Sequence, residues 1–337
     1  MRPSLRLFLL PALLLPAALW AKGEFPGIQV VPWNGHRAAS SLTFDGSDPT
    51  QLDVAVPELA RRRLTATFFL TANHTTRKDE WRGVLSTGNE LGNHTLDDFW
   101  AGNSIPPNAD SEVVGARNVL QKEFGTTLYT FAYPSLPVTP GLKELVAKTH
   151  LLARGGEGKT PFLTSASEPD WMEIPSRETE PKIPVQTYKK WVEEAFRKGG
   201  WLVWRIQGLE GAPPDRQPIT RETFNQILDA LQAKDIWVGT FLEVGAYFRA
   251  QKIFEKASIS DPDKEGWKKW AWEVPAHFPR NVVLKIRANG NEKLADGLAG
   301  LQVRQGRTLL SAEKDGIYSV NFDAEELEVR PAGADAK

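Results

Sequence analysis

The chain has 337 residues, of which 41% are hydrophobic and 25% charged, the balance of an ordinary globular protein with one or two domains. The formal net charge of -1 leaves no basic excess, so we expect no nucleic-acid partner. Cysteine is absent, which excludes disulfides, thiol catalysis and a lipid-bearing cysteine near the amino terminus.

Residues 1–21 have the pattern of a secretory signal peptide. Arg2 and Arg6 supply its basic start, and no charged residue occurs from residue 7 to residue 21. This apolar run is too short for a good membrane span, because a spanning helix needs about 20 apolar residues. We expect cleavage after Ala21, no stable membrane anchor afterwards, and a secreted or periplasmic mature protein. The alternative is an uncleaved anchor.

From residue 38 onward, extended and helical patterns alternate along the chain. Strands are predicted over 38–45, 64–71, 89–95, 126–134, 150–156, 201–208 and 236–241. Helices are predicted over 51–63, 79–88, 111–125, 140–149, 185–200, 220–235 and 242–257. Repeated strand-then-helix units imply a parallel sheet, and six or more of them over about 220 residues favour a closed barrel.

The composition changes after residue 257. Short runs of alternating apolar and polar residues follow, with turn signals at Gln305-Gly306 and Asp315-Gly316. The sequence therefore predicts an α/β barrel domain over 22–257 and a small antiparallel β-sandwich-like domain over 258–330. We expect the tail over 331–337 to be disordered.

Several predicted strands carry polar residues at their carboxyl ends, which is where chemistry collects in parallel α/β barrels. The strings are SLTFD (41–45), ATFFLT (66–71), ELGNHT (90–95), FAYP (131–134), WLVWRIQG (201–208) and IWVGTF (236–241). In this order and spacing they resemble the polysaccharide deacetylases, the NodB-homology domain of carbohydrate esterase family four. The resemblance covers roughly residues 38–248.

The resemblance implies a fold, a reaction and a partner. The fold is a distorted (β/α) barrel of about seven parallel strands. The reaction is hydrolysis of acetyl amide or ester groups on a glycan, in which one divalent metal ion activates a water molecule. A carboxylate takes the proton of that water, and a histidine protonates the leaving group. The implied partner is an acetylated glycan: a chitooligosaccharide, peptidoglycan or another polysaccharide.

The family's metal-binding motifs match this sequence only in part. Asp45 falls on the catalytic base. The acid that follows it in the family, a metal ligand, falls on Gly46, which offers no side-chain ligand. His94 falls on one of two histidine ligands, and the second of these falls on Asp98.

The remaining catalytic positions also diverge. The resemblance implies that the turn containing Tyr133 and Ser135 presents the backbone N–H that holds the oxyanion. Ala132 occupies the position where many members have an arginine that orients the base. The position of the general-acid histidine is Gln207, which cannot release a proton near neutral pH.

A rebuilt metal site is one interpretation of these changes. His94 and Asp98 lie four residues apart, and Asp48 is the candidate third ligand. Such a set would bind one divalent ion, namely zinc, manganese or cobalt, with the carboxylates shifting the preference away from zinc. Alternatively Asp48 caps a turn and no metal binds. His74 is a further candidate for ligand or acid. The other histidines are interpreted as loop or surface residues: His36, His150 and His277.

Twelve tryptophans are many for this length, and flat rings stack well on sugars. Trp100 and Trp171 are the candidate stacking residues, whereas Trp201 and Trp204 lie on a predicted strand and favour core packing. Arg154 stands at a strand end, where it either orients an acid, binds glycan or is solvated.

Two functions therefore stay open on the sequence. The first is a metal-dependent deacetylase with a rebuilt site. The second is a catalytically impaired family member that binds acetylated glycan without hydrolysis, which the changes at Gly46 and Gln207 favour. A structural role, with the carboxyl-terminal domain as an interaction module, is a third hypothesis that no sequence feature supports.

Overall fold

The computed structural model describes residues 27–98, 107–134, 137–156, 158, 162–288, 301–313 and 316–331. The predicted signal segment lies outside these ranges. None of the helices within them has the length and the apolar character needed to cross a membrane.

The helices follow the predicted pattern closely. They are α1 (Val56–Arg62), α2 (Lys78–Ser86), α3 (Ala116–Phe124), α4 (Pro140–Ala147), α5 (Val185–Lys198), α6 (Arg221–Gln232) and α7 (Phe241–Phe254). Single π-helical turns, Gln51–Ala55 and Ser111–Gly115, precede α1 and α3. Pro57 lies in the first turn of α1, directly after the first of these π-helical turns.

The strands fall into three sheets. They are β1 (Ile28–Val30), β2 (Ala38–Asp45), β3 (Thr67–Leu70), β4 (Glu90–Asn93), β5 (Thr130–Ala132), β6 (Leu152–Arg154), β7 (Leu163–Thr164), β8 (Arg177–Glu178), β9 (Gly200–Ile206), β10 (Ile236–Val238), β11 (Ser258–Ile259), β12 (Lys268–Ala271), β13 (Val283–Ala288), β14 (Leu301–Gln305), β15 (Thr308–Leu309), β16 (Tyr318–Asn321) and β17 (Glu326–Pro331).

The largest sheet is a curled barrel of mostly parallel strands, as the sequence predicted. Its order is β6-β5-β4-β3-β2-β9-β7, and only β7 runs antiparallel to its neighbour. β2 is the central strand: it pairs with β9 on one side, and with β3 and β10 on the other. Its bounds are those expected from the sequence, because an apolar run ends at Asp45.

The two ends of this sheet approach each other at the carboxyl side of the barrel. Ile174 forms a parallel bridge with Arg154 of β6, and β8 then pairs in parallel with β9. The segment from Ile174 to Glu178 therefore connects β6 to β9. This connection brings the ends of both strands, which are distant in the sheet order, into one site.

The barrel sheet has two differently covered faces. Alternate residues of β2 point to opposite faces, so Leu42 and Phe44 join the cluster formed with the outer helices, whereas Ala39 joins the cluster that contains α7. Asp45 shares the face of Ala39. An added Cβ at Gly245 of α7 would lie 2.2 Å from Leu152 Cδ1 of β6 and 3.2 Å from Trp201 Cη2 of β9. The helix thus fills the barrel between these two strands.

The carboxyl-terminal strands form two antiparallel sheets, which confirms the predicted small β domain. One has the order β11-β12-β17-β14-β15, and the other β1-β13-β16. Strand β1, from the segment before the barrel, pairs with β13 and was not predicted. The β domain packs on α7 through aromatic contacts such as Phe254 with Trp272, whose ring centroids are 5.4 Å apart.

Candidate active site at the carboxyl end of the barrel

Asp45 and Arg154 form a buried ion pair at the carboxyl ends of β2 and β6. The Nη2 of Arg154 donates to Oδ2 of Asp45 at 2.7 Å, and both side chains are almost fully shielded from solvent. The sequence left the role of Arg154 open, and the structure places it against the candidate base. Burial lowers the pKa of Arg154, while the nearby Asp45 carboxylate opposes that change.

Several polar atoms of this pair have no hydrogen-bond partner among the described residues. They are Oδ1 of Asp45 and the Nε and Nη1 atoms of Arg154, and all three are buried. The guanidinium also lies over the ring of Phe69, with Cζ 5.5 Å from the ring centroid. Buried polar atoms without partners are expensive in a folded protein, so such a group marks a place prepared for a polar ligand or water.

His94 follows β4 and is held by the neighbouring strand. Its Nδ1 donates to the carbonyl oxygen of Ala132 at 2.9 Å, since that carbonyl can only accept. The Nε2 atom therefore faces the carboxylate of Asp98, whose Oδ1 is 3.3 Å away. The chain between the two residues forms turns instead of a helix, with Thr95 and Asp98 at positive φ. The structure thus brings together the two candidate ligands His94 and Asp98.

The second carboxylate oxygen of Asp98 faces a cation that the sequence analysis missed. Arg216 Nη2 lies 3.3 Å from Asp98 Oδ2. Burial favours the neutral acid, but hydrogen bonding and charge from His94, together with Arg216, outweigh it and lower the pKa of Asp98 to about 2. The same guanidinium covers Gly46: a Cβ built on Gly46 would lie 2.6 Å from Arg216 Nη1.

Asp48 does not complete a metal site. Its Oδ1 accepts from the backbone N–H of Thr50 at 2.9 Å and from the Thr50 hydroxyl, so Asp48 caps the turn before the first helix. This corrects its assignment as third ligand in favour of the turn-capping alternative. Among the described residues, no three histidine or acidic side chains are arranged to hold a metal ion. Because Gly46 offers no donor and Asp98 faces a guanidinium, these residues do not fit a divalent ion.

Gln207, at the general-acid position, belongs to a polar cluster with two residues that sequence reasoning missed. Its Nε2 donates to Oε1 of Glu178, and Arg205 binds the other carboxylate oxygen of Glu178. The amide is therefore directed to an acid on β8. Arg205 could have been found from strand alternation, because it shares a face of β9 with Val203 and lies two residues before Gln207. Glu178 lies on a two-residue strand that has no such pattern.

Two other predicted site residues are corrected by their contacts. The N–H of Tyr133 donates to the carbonyl of Arg154 at 3.2 Å within the sheet, so it is not available to an oxyanion. Trp171 packs edge-on against Phe248 of α7, with ring centroids 5.4 Å apart, and beneath Arg249. Its ring is part of the packing around α7 and does not offer an open platform to sugar.

The remaining predictions are settled by exposure or lie outside the described residues. His74 is half exposed, and its Nε2 is 3.8 Å from Asp97 Oδ1. Trp201 and Trp204 are buried core residues, as predicted. Trp100 and Ser135 fall outside the described ranges.

The barrel places Asp45, His94 and Arg154 at or just after the carboxyl ends of three of its strands. Residues 34–152 match the family model described as polysaccharide deacetylase. This part of the barrel is therefore similar to the polysaccharide deacetylases, as the sequence motifs indicated.

Three individual proteins illustrate what the chain is similar to. The peptidoglycan-N-acetylglucosamine deacetylase of Bacillus cereus is 30% identical over 84 residues, which are 24% of this chain and 39% of the relative. The match thus spans about two fifths of the length of that relative. A family 4 acetyl xylan esterase from Clostridium thermocellum, in complex with a cobalt ion, is 23% identical, with a TM-score of 0.45, over 61% of this chain and 89% of that chain. A putative polysaccharide deacetylase from Mycobacterium smegmatis is 17% identical, with a TM-score of 0.49, over 68% and 96%.

Proposed function

We propose that the barrel binds an N-acetylated glycan at the carboxyl ends of its strands, without the metal-dependent hydrolysis of its family. One observation carries this proposal: the buried Asp45–Arg154 pair keeps an acceptor and two donors without partners among the described residues. An N-acetyl group is complementary to such a pair, since its N–H can donate to Asp45 and its carbonyl oxygen can accept from a guanidinium.

The substrate class comes from the curated relative, which is a deacetylase of peptidoglycan N-acetylglucosamine. The unpartnered polar atoms of Asp45 and Arg154 support a polar ligand of the same class. O-acetylated glycans are less suited, because an ester has no N–H to donate to Oδ1 of Asp45.

Two of the groups that hydrolysis requires are lost. Position 46 supplies no metal ligand, and the general-acid position is an amide that donates to Glu178. A general acid or base contributes on the order of 10²–10⁴ to a rate, so a retained Asp45 without an acid leaves slow turnover at best. This supports binding over hydrolysis as the function of the cleft.

The test is a pair of assays on the purified mature chain. Binding of N-acetylglucosamine oligomers is measured by calorimetry, with fully deacetylated oligomers for comparison, and acetate release is measured on the same acetylated oligomers. We expect binding that requires the acetyl groups and no acetate release above background. Asp45→Asn should weaken binding by about tenfold, because it removes a charged acceptor. Asp97→Asn, at a half-exposed acid outside the pair, is the matched control.

The outcomes separate the two functions left open by the sequence. Acetate release that Asp45→Asn abolishes and Asp97→Asn preserves would establish a deacetylase and overturn the proposal. Equal binding of acetylated and deacetylated oligomers would also overturn it. Circular dichroism of each variant ensures that a loss of binding is not a loss of fold.

We also propose that the mature protein is secreted or periplasmic, on the basis of the signal-like segment over 1–21. Amino-terminal sequencing of the protein recovered from each cellular fraction tests this. A mature chain that begins at Lys22 outside the cytoplasm is the expected result, and an intact Met1 terminus in the cytoplasm would contradict it.

A further inference from the structure

Arg216 reaches the candidate metal position from a loop that the fold holds in place. It ends the 3-10 turn Pro214–Arg216, which follows β9. Leu209 and Ile219 form a parallel bridge across the base of this loop. A Cβ on Gly208 would lie 2.8 Å from the Arg216 carbonyl oxygen and 2.9 Å from its Cβ. The backbone of Arg216 is therefore packed tightly on the strand end, which fixes where its side chain starts.

The guanidinium then contacts both metal-ligand positions at which this sequence departs from the family pattern. Nη2 is 3.3 Å from Oδ2 of Asp98, the residue that replaces a histidine ligand. Nη1 occupies the space next to Gly46, where a Cβ would come within 2.6 Å of it. Gly46 also has a φ of 82°, a conformation that suits glycine and that side chains adopt at a cost. The Arg216 side chain therefore contacts both Gly46, where a ligand is lost, and Asp98, where a ligand is exchanged.

We propose that the Arg216 guanidinium is a built-in cation that takes the place of the family's divalent ion. It neutralises Asp98, which in turn lies against Nε2 of His94, and it blocks the position from which residue 46 would supply a ligand. A guanidinium stays protonated and carries no exchangeable water, so it cannot supply the activated water that a metal ion provides. This inference is independent of which glycan binds, because its test measures metal.

The test is calorimetric titration of the full chain with zinc and with cobalt. The variants are Arg216→Ala, Gly46→Asp and the double variant Gly46→Asp/Arg216→Ala, which combines an acid at position 46 with His94 and Asp98. We expect about one equivalent of metal only in the double variant. Its affinity should exceed that of either single variant on the order of a hundredfold, because Gly46→Asp keeps the opposing charge of Arg216 and Arg216→Ala lacks the ligand at position 46. Adding His94→Ala should abolish this binding.

One control variant and three contrary outcomes complete the test. Arg221→Ala replaces another arginine of the same region, one that pairs with Glu58, and should not create metal binding in the Gly46→Asp background. Three results would each overturn the proposal. The first is equimolar metal binding by the wild type that His94→Ala removes. The second is metal binding by Gly46→Asp as tight as that of the double variant. The third is a folded double variant that binds no metal.

A second measurement decides the matter if the double variant does not fold. Thermal unfolding is compared for the wild type, Asp98→Asn, Arg216→Ala and the combination of these two substitutions. If Arg216 neutralises Asp98, Asp98→Asn should lower the Tm less in the Arg216→Ala background than in the wild type. Strictly additive shifts in Tm would overturn the inference.

Discussion

Glu90 on β4 accepts a hydrogen bond from the backbone N–H of Leu242, at 2.9 Å, in the first turn of α7. The same carboxylate oxygen accepts from the Thr67 hydroxyl at 2.7 Å, and the other oxygen is bound by Thr130. The barrel thus presents a buried acid to the amino terminus of the helix that fills it. An acid at this end of a helix is favourable, because the free N–H groups there attract negative charge.

Glu90 is predicted to make stability fall as the pH rises. Burial raises its pKa from 4.5 to about 7, although Thr130, Thr67 and Leu242 oppose the change. Between these values the folded state keeps the proton and the unfolded state has lost it, so the free energy of unfolding declines as the pH increases. Glu90→Gln keeps the shape and removes the titration. Relative to wild type, the variant should gain about 3 kcal/mol between pH 4.5 and pH 7, measured by urea unfolding.

A surface substitution provides the control for Glu90. Glu222→Gln removes one carboxylate from the exposed first turn of α6 and serves as the matched comparison. If the difference between Glu90→Gln and wild type does not change over this pH range, Glu90 does not hold its proton in the folded state.

Replacing one residue of the Asp45–Arg154 pair is predicted to destabilise the fold strongly. Replacing both is predicted to cost less than the sum of the two single changes. Arg154→Met leaves the buried Asp45 carboxylate without its partner, and we expect a loss of about 3–5 kcal/mol in the free energy of unfolding. Asp45→Asn should cost a similar amount, and the double variant less than the sum of the two. Lys198→Met, which breaks the exposed pair with Glu194 on α5, should cost less than about 1 kcal/mol. Additive losses from Arg154→Met and Asp45→Asn would argue against a coupled pair.

The residues that the sequence placed correctly lie on regular strands. β2 could be bounded from its apolar run, and the parallel barrel then brings its terminal Asp45 to the same end as His94 and Arg154. Hydrophobic periodicity and the order of strands are local or repetitive signals, so a single sequence is enough to predict them. They predicted the barrel and the small β domain, whereas the pairing of Asp45 with Arg154 was left open.

The residues that the sequence missed are placed by the path of loops. Arg216 lies in the stretch PPDRQ, which has no periodic pattern, and its reach to Gly46 depends on how the loop folds back on Gly208. Trp171, chosen as a sugar platform, is partly buried and packs against α7, where the loop that follows β6 places it. His150 was interpreted as a surface residue, yet it is 2% exposed because the turn before β6 packs it against Asn93. Such contacts are tertiary and leave no trace in residue spacing.

Two helical glycines should respond in opposite directions to the same substitution. An added Cβ at Gly245 would meet Leu152 and Trp201, both fully buried, so Gly245→Ala should cost about 1–3 kcal/mol of stability through overpacking. Gly83 on α2 is exposed, and nothing lies within 4 Å of its added Cβ. Gly83→Ala should stabilise the protein by up to about 1 kcal/mol, since alanine is the better helix former. Urea unfolding measures both, and a stabilised Gly245→Ala would show that α7 does not fill the barrel.

His150 is predicted to oppose the effect of Glu90. Burial, assisted by the charge of Arg117, lowers its pKa from 6.5 to about 3, while a hydrogen bond to the Val146 carbonyl works against this. Below pH 6.5 the His150 imidazole binds a proton in the unfolded state but not in the folded state. The free energy of unfolding therefore falls as the pH decreases towards 3. Over two pH units the loss is about 3 kcal/mol.

The opposite effects of Glu90 and His150 on the free energy of unfolding therefore cancel in the wild type between pH 4.5 and pH 6.5. His150→Gln should expose the Glu90 effect, so that this variant becomes less stable as the pH rises. Glu90→Gln should show the reverse slope, and the double variant should have little slope from either group. Urea unfolding of the four proteins at the two pH values tests this, with His36→Gln, at a half-exposed histidine paired with Asp235, as the control. Parallel profiles for His150→Gln and His36→Gln would mean that His150 is protonated in the folded protein, because only a buried neutral imidazole produces the difference.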